Sequence, residues 1–213
     1  MLPFTTDRFL AVFGEYNEAI WPAQPVAWAL GLLAALLAVR PAGPSDRVVC
    51  GILAVFWLWM GGVYHMLYFA EINPLAPLFG AAFIAQSTLF AWQAVAPGGI
   101  DFRFRADAAG ILGLAFMAYG LVVYHLLGPP FGHGWPRMPV FGVAPCPTAI
   151  FTFGVLLTAR GRVPWRLLVV PVLWSLVGGS AALILAMPED YGLIVAGVVG
   201  TWLIARRKLR AAR

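Results

Sequence analysis

Between Arg47 and Glu71 the chain reads VVCGILAVFWLWMGGVYHMLYFA, without one Asp, Glu, Lys or Arg. Such a run limits the fold severely, because about 20 apolar residues wound as a helix cross the roughly 30 Å hydrocarbon layer of a bilayer. Comparable runs lie at 23–40, 76–96, 107–127, 143–159, 165–187 and 191–206, so that with 48–70 the sequence predicts seven spans. Only 11% of residues are charged, where a soluble domain carries roughly a quarter. The expected fold is all-α, a polytopic membrane helix bundle with seven transmembrane helices. The last run is short and the fifth opens among prolines, so six spans with a re-entrant segment at 143–159 is the alternative.

Positive charge sets the orientation, since Lys and Arg of short loops favour the cytoplasmic side. Arg40 and Arg47 follow the first run, Arg103 and Arg105 the third, and Arg160, Arg162 and Arg166 the fifth. Arg206, Arg207, Lys208, Arg210 and Arg213 end the chain, which makes twelve of the 14 cations. The other set of connections holds only Arg8 and Arg137, together with Asp7, Glu15, Glu18, Glu71, Glu189 and Asp190. This pattern predicts an N-out, C-in topology and an odd number of spans. The basic residues are scattered rather than patched, which argues against nucleic acid. The tail 207–213 reads as a cytoplasmic anchor for anionic head groups.

Residues 1–22 lack the continuous apolar core of a secretion signal. With Thr6 or Asp7 as a cap, Phe9, Phe13, Tyr16 and Ile20 fall on one helical face. An amphipathic helix on the outer surface is expected; the alternative is a lid over an outward-facing cavity. Residues 23–206 form the transmembrane domain. Cys50 and Cys146 open runs from opposite sides, too far apart for a disulfide.

The polar residues of the apolar runs gather toward the outer side. His65 lies 18 residues beyond Arg47 and His125 18 beyond Asp107, each about 27 Å from its inner boundary at ~1.5 Å per residue. Their surroundings repeat: GIL at 51–53 and 110–112, VYH at 63–65 and 123–125, FG at 79–80 and 141–142. A parallel duplication of helix hairpins is expected from this repeat. Glu71, Asn73, Gln86, His133 and Cys146 lie in the same outer half, and groups of this kind are costly in lipid unless they face protein or water. Cys146 sits between Pro145 and Pro147, where regular helix is interrupted.

Three segments, FGEYNEAIWP (13–22), YHMLYFAEINPLAPLFG (64–80) and APCPTAIFTFG (144–154), resemble a family of small bacterial integral membrane proteins of unknown function. The resemblance implies a bacterial inner-membrane location and a cluster of motifs on the outer side; it implies no activity. The expected site is an outward-facing cavity. Glu15, Asn17, Tyr64, Glu71, Asn73, Gln86 and Tyr124 are its ligand-binding candidates, and His65, His125, His133 and Cys146 are candidate ligands for a transition-metal ion. Haem b, held without covalent attachment by His65 and His125, is the competing cofactor; an accessory subunit is a third reading. Expected partners are the lipid bilayer and a small solute or metal ion, with an oligomer left open.

Overall fold

The computed structural model describes residues 2–210, with backbone alone for 207–210. Beyond that backbone, the expected basic tail lies outside the described residues. The chain is predominantly helical. Its helices are α1 (Thr6–Ala19), α2 (Ala23–Val39), α3 (Ser45–Glu71), α4 (Ala76–Val95), α5 (Ala108–Phe131), α6 (Pro145–Thr158) and α7 (Arg166–Leu185). The last, α8, is continuous through Tyr191–Val195, Ala196–Gly200 and Thr201–Arg210. A two-residue antiparallel ribbon pairs Asp101 with Arg160 and Phe102 with Ala159. Four helices, α3, α4, α5 and α7, are long and apolar enough to cross a membrane; α1 and α2, bent by 89°, make a fifth if taken as one span.

The bundle is built around α6. Every residue of this helix is buried, and so is the chain on either side, from Met138 to Ala159. At ~1.5 Å per residue it is only about 21 Å long, so the fifth run is a short inner axis with an irregular buried lead. Its sequence suits that position. PCPTAIFTFGVLLT carries no charge, and its threonines return their hydroxyls to the backbone: Thr148 to Ala144 O at 2.7 Å, Thr152 to Thr148 O at 2.8 Å and Thr158 to Val155 O at 2.8 Å. Helices α2, α5, α7 and α8 pack directly on it, and the Trp57 indole of α3 donates to Thr152 Oγ1 at 3.2 Å.

Two hairpins close by backbone contact. A Cβ on Gly61 would lie 2.8 Å from Gly80 O, and one on Gly113 would lie 2.8 Å from Gly154 O. Any larger residue would force α3 from α4, or α5 from α6, at the small-residue contacts typical of membrane helices. Serines of the interior satisfy carbonyls, Ser87 that of Ala54 at 2.7 Å and Ser175 that of Val172 at 2.7 Å. The glycines of LVGGSAA (176–182) and AGVVG (196–200) serve close packing: a Cβ on Gly179 of α7 would lie 2.6 Å from Ile194 of α8.

Helix α1 is capped by Thr5, whose hydroxyl accepts from Arg8 N, one residue before the expected cap. Its apolar face turns onto the bundle: Phe13 and Tyr16 are fully covered. The Tyr16 hydroxyl donates to Val143 O at 2.8 Å and accepts from the Trp59 indole at 2.8 Å. Asn17 Nδ2 donates to Pro136 O and Met138 O, and Arg137 pairs with Asp7. These ties hold α1 as a lid across one end of the bundle.

Candidate functional site

Under that lid lies a cavity of about 230 Å³. Helix α1 contributes Phe9 and Phe13 to its walls, α3 Tyr64 and Phe69, α4 Phe79, and α7 Trp174 with Val177, Ala181 and Ala182. Its polar groups are few. Asn73 lies at the rim, where Oδ1 accepts from Leu75 N at 3.0 Å and shapes the turn into α4. Cys146, at the start of α6, and Asp190, in the α7–α8 connection, also line the cavity.

The Tyr-His repeat acquires its meaning here. Neighbouring residues of a helix project about 100° apart, so the members of each pair meet different neighbours, even where both are buried, as Tyr64 and His65 are. Tyr64 and Tyr124 are both buried and both close on Cys146. The Tyr124 hydroxyl donates to Asp190 Oδ1 at 2.5 Å, and the Cys146 thiol lies between the Asp190 carboxyl and the Trp174 indole. Burial is the main influence on Asp190 and pushes its carboxyl up to about 7; the Tyr124 and Cys146 hydrogen bonds pull the other way, and Glu189 adds to the rise. Beside it Glu189, 1% exposed, meets His133 Nδ1 at 2.8 Å through Oε1, while Oε2 has no partner. Tyr119 donates to the Glu189 carbonyl at 2.9 Å.

The histidines turn aside in different directions. His65 is enclosed by the rings of Tyr64, Phe69, Phe79, Phe83 and Trp174. His125 stands against Trp28 and accepts the Phe141 amide on Nε2 at 3.0 Å. Beyond its own neighbour Tyr124, His125 shares no ring contact with His65. The four expected metal ligands, His65, His125, His133 and Cys146, are therefore not assembled into one centre. Among the described residues no group of three or more His, Cys, Asp or Glu side chains could hold a metal ion.

Other expected site residues also stand apart from the cavity. Glu15 and Glu71 are at the surface, both paired with Arg8, at 3.0 and 3.4 Å. Asn17 ties α1 to the loop before α6, and Gln86 is buried between helices, donating to Leu167 O at 3.2 Å. Of the expected set, Tyr64, Asn73 and Cys146 line the cavity and Tyr124 backs it through Asp190. Sequence reasoning missed Asp190, Glu189 and Trp174. The signal was a pair of adjacent acids in MPEDYG, between two apolar runs and with no cation in the connection.

Fold and site together define an all-helical bundle of apolar helices around a buried central helix, with a lidded cavity at one end. The chain matches the family described as "Family of unknown function (DUF6064)" over residues 6–213 and belongs to that family. No curated protein and no solved structure matches it.

Proposed function

We propose that this is a seven-span integral membrane protein of the inner membrane, N-out and C-in, whose outward-facing cavity binds a small solute with an apolar body and one polar end. Membrane insertion is supported by the outer surface of the bundle, where Leu58, Leu67, Leu176, Leu183 and Ile184 are each more than half exposed; water would not tolerate so broad an apolar surface. The orientation rests on the arginines, which gather in alternate connections between the apolar runs. We read α3–α4 and α5–α6 as two copies of one hairpin. Both have a Gly–Gly contact, a wider helical turn at or just before the Tyr-His pair (Met60–Tyr68 and Tyr119–Val123) and a buried tyrosine in that pair.

The observation that carries the solute reading is the cavity itself, apolar over most of its walls with a few polar groups, Cys146, Asp190, Asn73 and Ser180. Pockets of that kind orient an apolar ligand by a few polar contacts. At about 30 Å³ for a water-sized unit, 230 Å³ holds roughly eight, so the solute is small. A metal ion and haem are the weaker occupants, because the histidines offered for them do not meet.

The test is binding of 3,3-dimethylbutan-1-ol, a compact alcohol, to protein in a maltoside detergent, read by tryptophan fluorescence because Trp174 lines the cavity. Saturable quenching is expected, and Ala181→Phe, which fills the cavity, should abolish it. Unchanged binding in a folded Ala181→Phe protein would refute the site. Orientation is tested by external labelling of single cysteines in a background without Cys50 and Cys146: Gly132→Cys should react in intact cells and Gly161→Cys should not.

A further inference from the structure

We infer that the solute is a small organic ammonium ion, held by aromatic walls and by the Asp190 carboxylate, and released when that carboxylate takes up a proton. The inference rests on the cavity reading above and adds the charge of the occupant.

Three independent features carry it. The first is the wall. Phe9, Phe13, Tyr64, Phe69, Phe79 and Trp174 surround one small volume, and they come from four different helices. Aliphatic side chains would line an uncharged hydrocarbon site as well; an aromatic enclosure adds attraction for a cation, strongest for Trp and Tyr.

The second feature is the sign of the lining. Asp190 is its one ionisable carboxylate, and no Lys, Arg or His lines the cavity among the described residues. The two arginines at this end are already engaged, Arg8 by Glu15 and Glu71 and Arg137 by Asp7. Counting the whole end, six acids (Asp7, Glu15, Glu18, Glu71, Glu189 and Asp190) stand against those two cations, a balance of 2 − 6 = −4 before His133 is counted. Such a field draws cations toward the cavity and opposes anions.

The third is how Asp190 is held. It is 3% exposed, takes the Tyr124 hydroxyl on Oδ1 and faces the Cys146 thiol. The Tyr124 hydroxyl holds the carboxyl without neutralising it, and Glu189 beside it is committed to His133. The titratable groups facing Asp190 are Tyr119 and Tyr124 from α5, Tyr64 from α3, Cys146 from α6 and Glu189 from its own connection. None is a permanent cation. A carboxylate buried in this way lacks a positive partner, which an ammonium ion supplies and a proton replaces. Binding of one therefore opposes binding of the other, and affinity should fall as pH drops through about 7, where Asp190 takes up its proton.

Choline and 3,3-dimethylbutan-1-ol differ only in the exchange of a quaternary nitrogen for carbon, so their comparison isolates the charge. Both are titrated against the full chain in a maltoside detergent free of phosphocholine, at pH 8 and pH 5.5, by tryptophan fluorescence and by shift in unfolding temperature. Choline should bind at least about tenfold more tightly than the alcohol at pH 8, and the preference should shrink at pH 5.5. Asp190→Asn should remove both the preference and its pH dependence, and Trp174→Leu should weaken choline more than the alcohol. If Asp190→Asn does not fold, the pH dependence of the wild-type preference and the Trp174→Leu ratio still decide the matter. Equal affinities for the two compounds would overturn the ammonium site and leave the cavity standing. Failure of both to bind would overturn the cavity as well. A choline preference that survives Asp190→Asn would show that the charge is read elsewhere and would equally overturn the assignment.

Discussion

The proton held by Asp190 should be visible as a slope of stability against pH. In the folded chain its carboxyl titrates near 7, against an ordinary value of 3.8, chiefly because burial disfavours the ion. The folded state therefore keeps this proton up to about pH 7, while the unfolded chain releases it near pH 4. Between those values the folded state binds more protons, so stability falls as pH rises. About three units at ~1.4 kcal/mol each give roughly 4 kcal/mol lost from pH 4 to pH 8. For a chain of this length 1 kcal/mol corresponds to about 2–4 °C of unfolding temperature, so the loss is of order 10 °C. Other groups titrate in the same range, and Asp190→Asn removes their contribution by difference: the amide can still accept the Tyr124 hydroxyl but has no charge to gain. Unfolding temperatures of both proteins in one detergent, measured from pH 4 to pH 8, should diverge with rising pH, with the variant the more stable at pH 8. Parallel curves would mean that Asp190 is ionised throughout and would refute the reasoning.

The His133–Glu189 pair should respond to deletion of one partner more than of both. His133→Ala leaves a buried carboxylate without a partner on either oxygen and should cost about 3–5 kcal/mol, whereas His133→Ala with Glu189→Leu should recover most of it; equal losses in thermal unfolding would exclude a coupled pair. Gly154→Val should prevent stable folding, because even a Cβ there would lie 2.7 Å from Gly113 O and 2.8 Å from Met117 N. Gly51→Ala, with nothing within 4 Å of the new atom, is its control and should leave the unfolding temperature unchanged or slightly raised.

The helices were legible because each apolar run has to bury or shield its backbone along its whole length, and the runs at 76–96 and 165–187 match Ala76–Val95 and Arg166–Leu185 to within two residues. The depth of the fifth run was not legible. An all-apolar helix reads alike whether lipid or protein surrounds it, and only packing shows that Pro145–Thr158 touches helices on every side. The site was half legible. Cys146 and Tyr64 stood out because polar or interrupting groups in apolar runs are costly. Asp190 did not, because an acid in an outer connection is ordinarily solvated, and the fold that buries it brings α5 and α6 from 66 and 44 residues away in sequence, the separations of Tyr124 and Cys146 from Asp190 (190 − 124 and 190 − 146). Charge counting used Asp190 for orientation and could not see its partners.

The repeated histidines show how two copies of one motif come to differ, and they yield a last prediction. In both hairpins an FG pair follows the VYH triplet. In the second, Phe141 precedes α6, so its amide is free of helix and donates to His125 Nε2 at 3.0 Å. In the first, Phe79 is already inside α4 and its amide donates to Leu75 O at 3.2 Å, which leaves nothing for His65. His65 Nδ1 lies 2.8 Å from Met60 O; a carbonyl can only accept, so the proton sits on Nδ1 and Nε2 presents a bare lone pair. That nitrogen is buried and unpartnered within an aromatic enclosure. Replacement of His125 by Leu should orphan a buried amide at a cost of about 1–3 kcal/mol, or roughly 2–12 °C of unfolding temperature. Each replacement also removes one buried, unpartnered ring nitrogen, Nδ1 of His125 or Nε2 of His65, but at His65 the hydrogen bond given up is to a carbonyl already inside a helix, so its net effect should be smaller. A loss at His65→Leu equal to or larger than that at His125→Leu would show that Nε2 has a partner of its own and that the two histidines have not diverged.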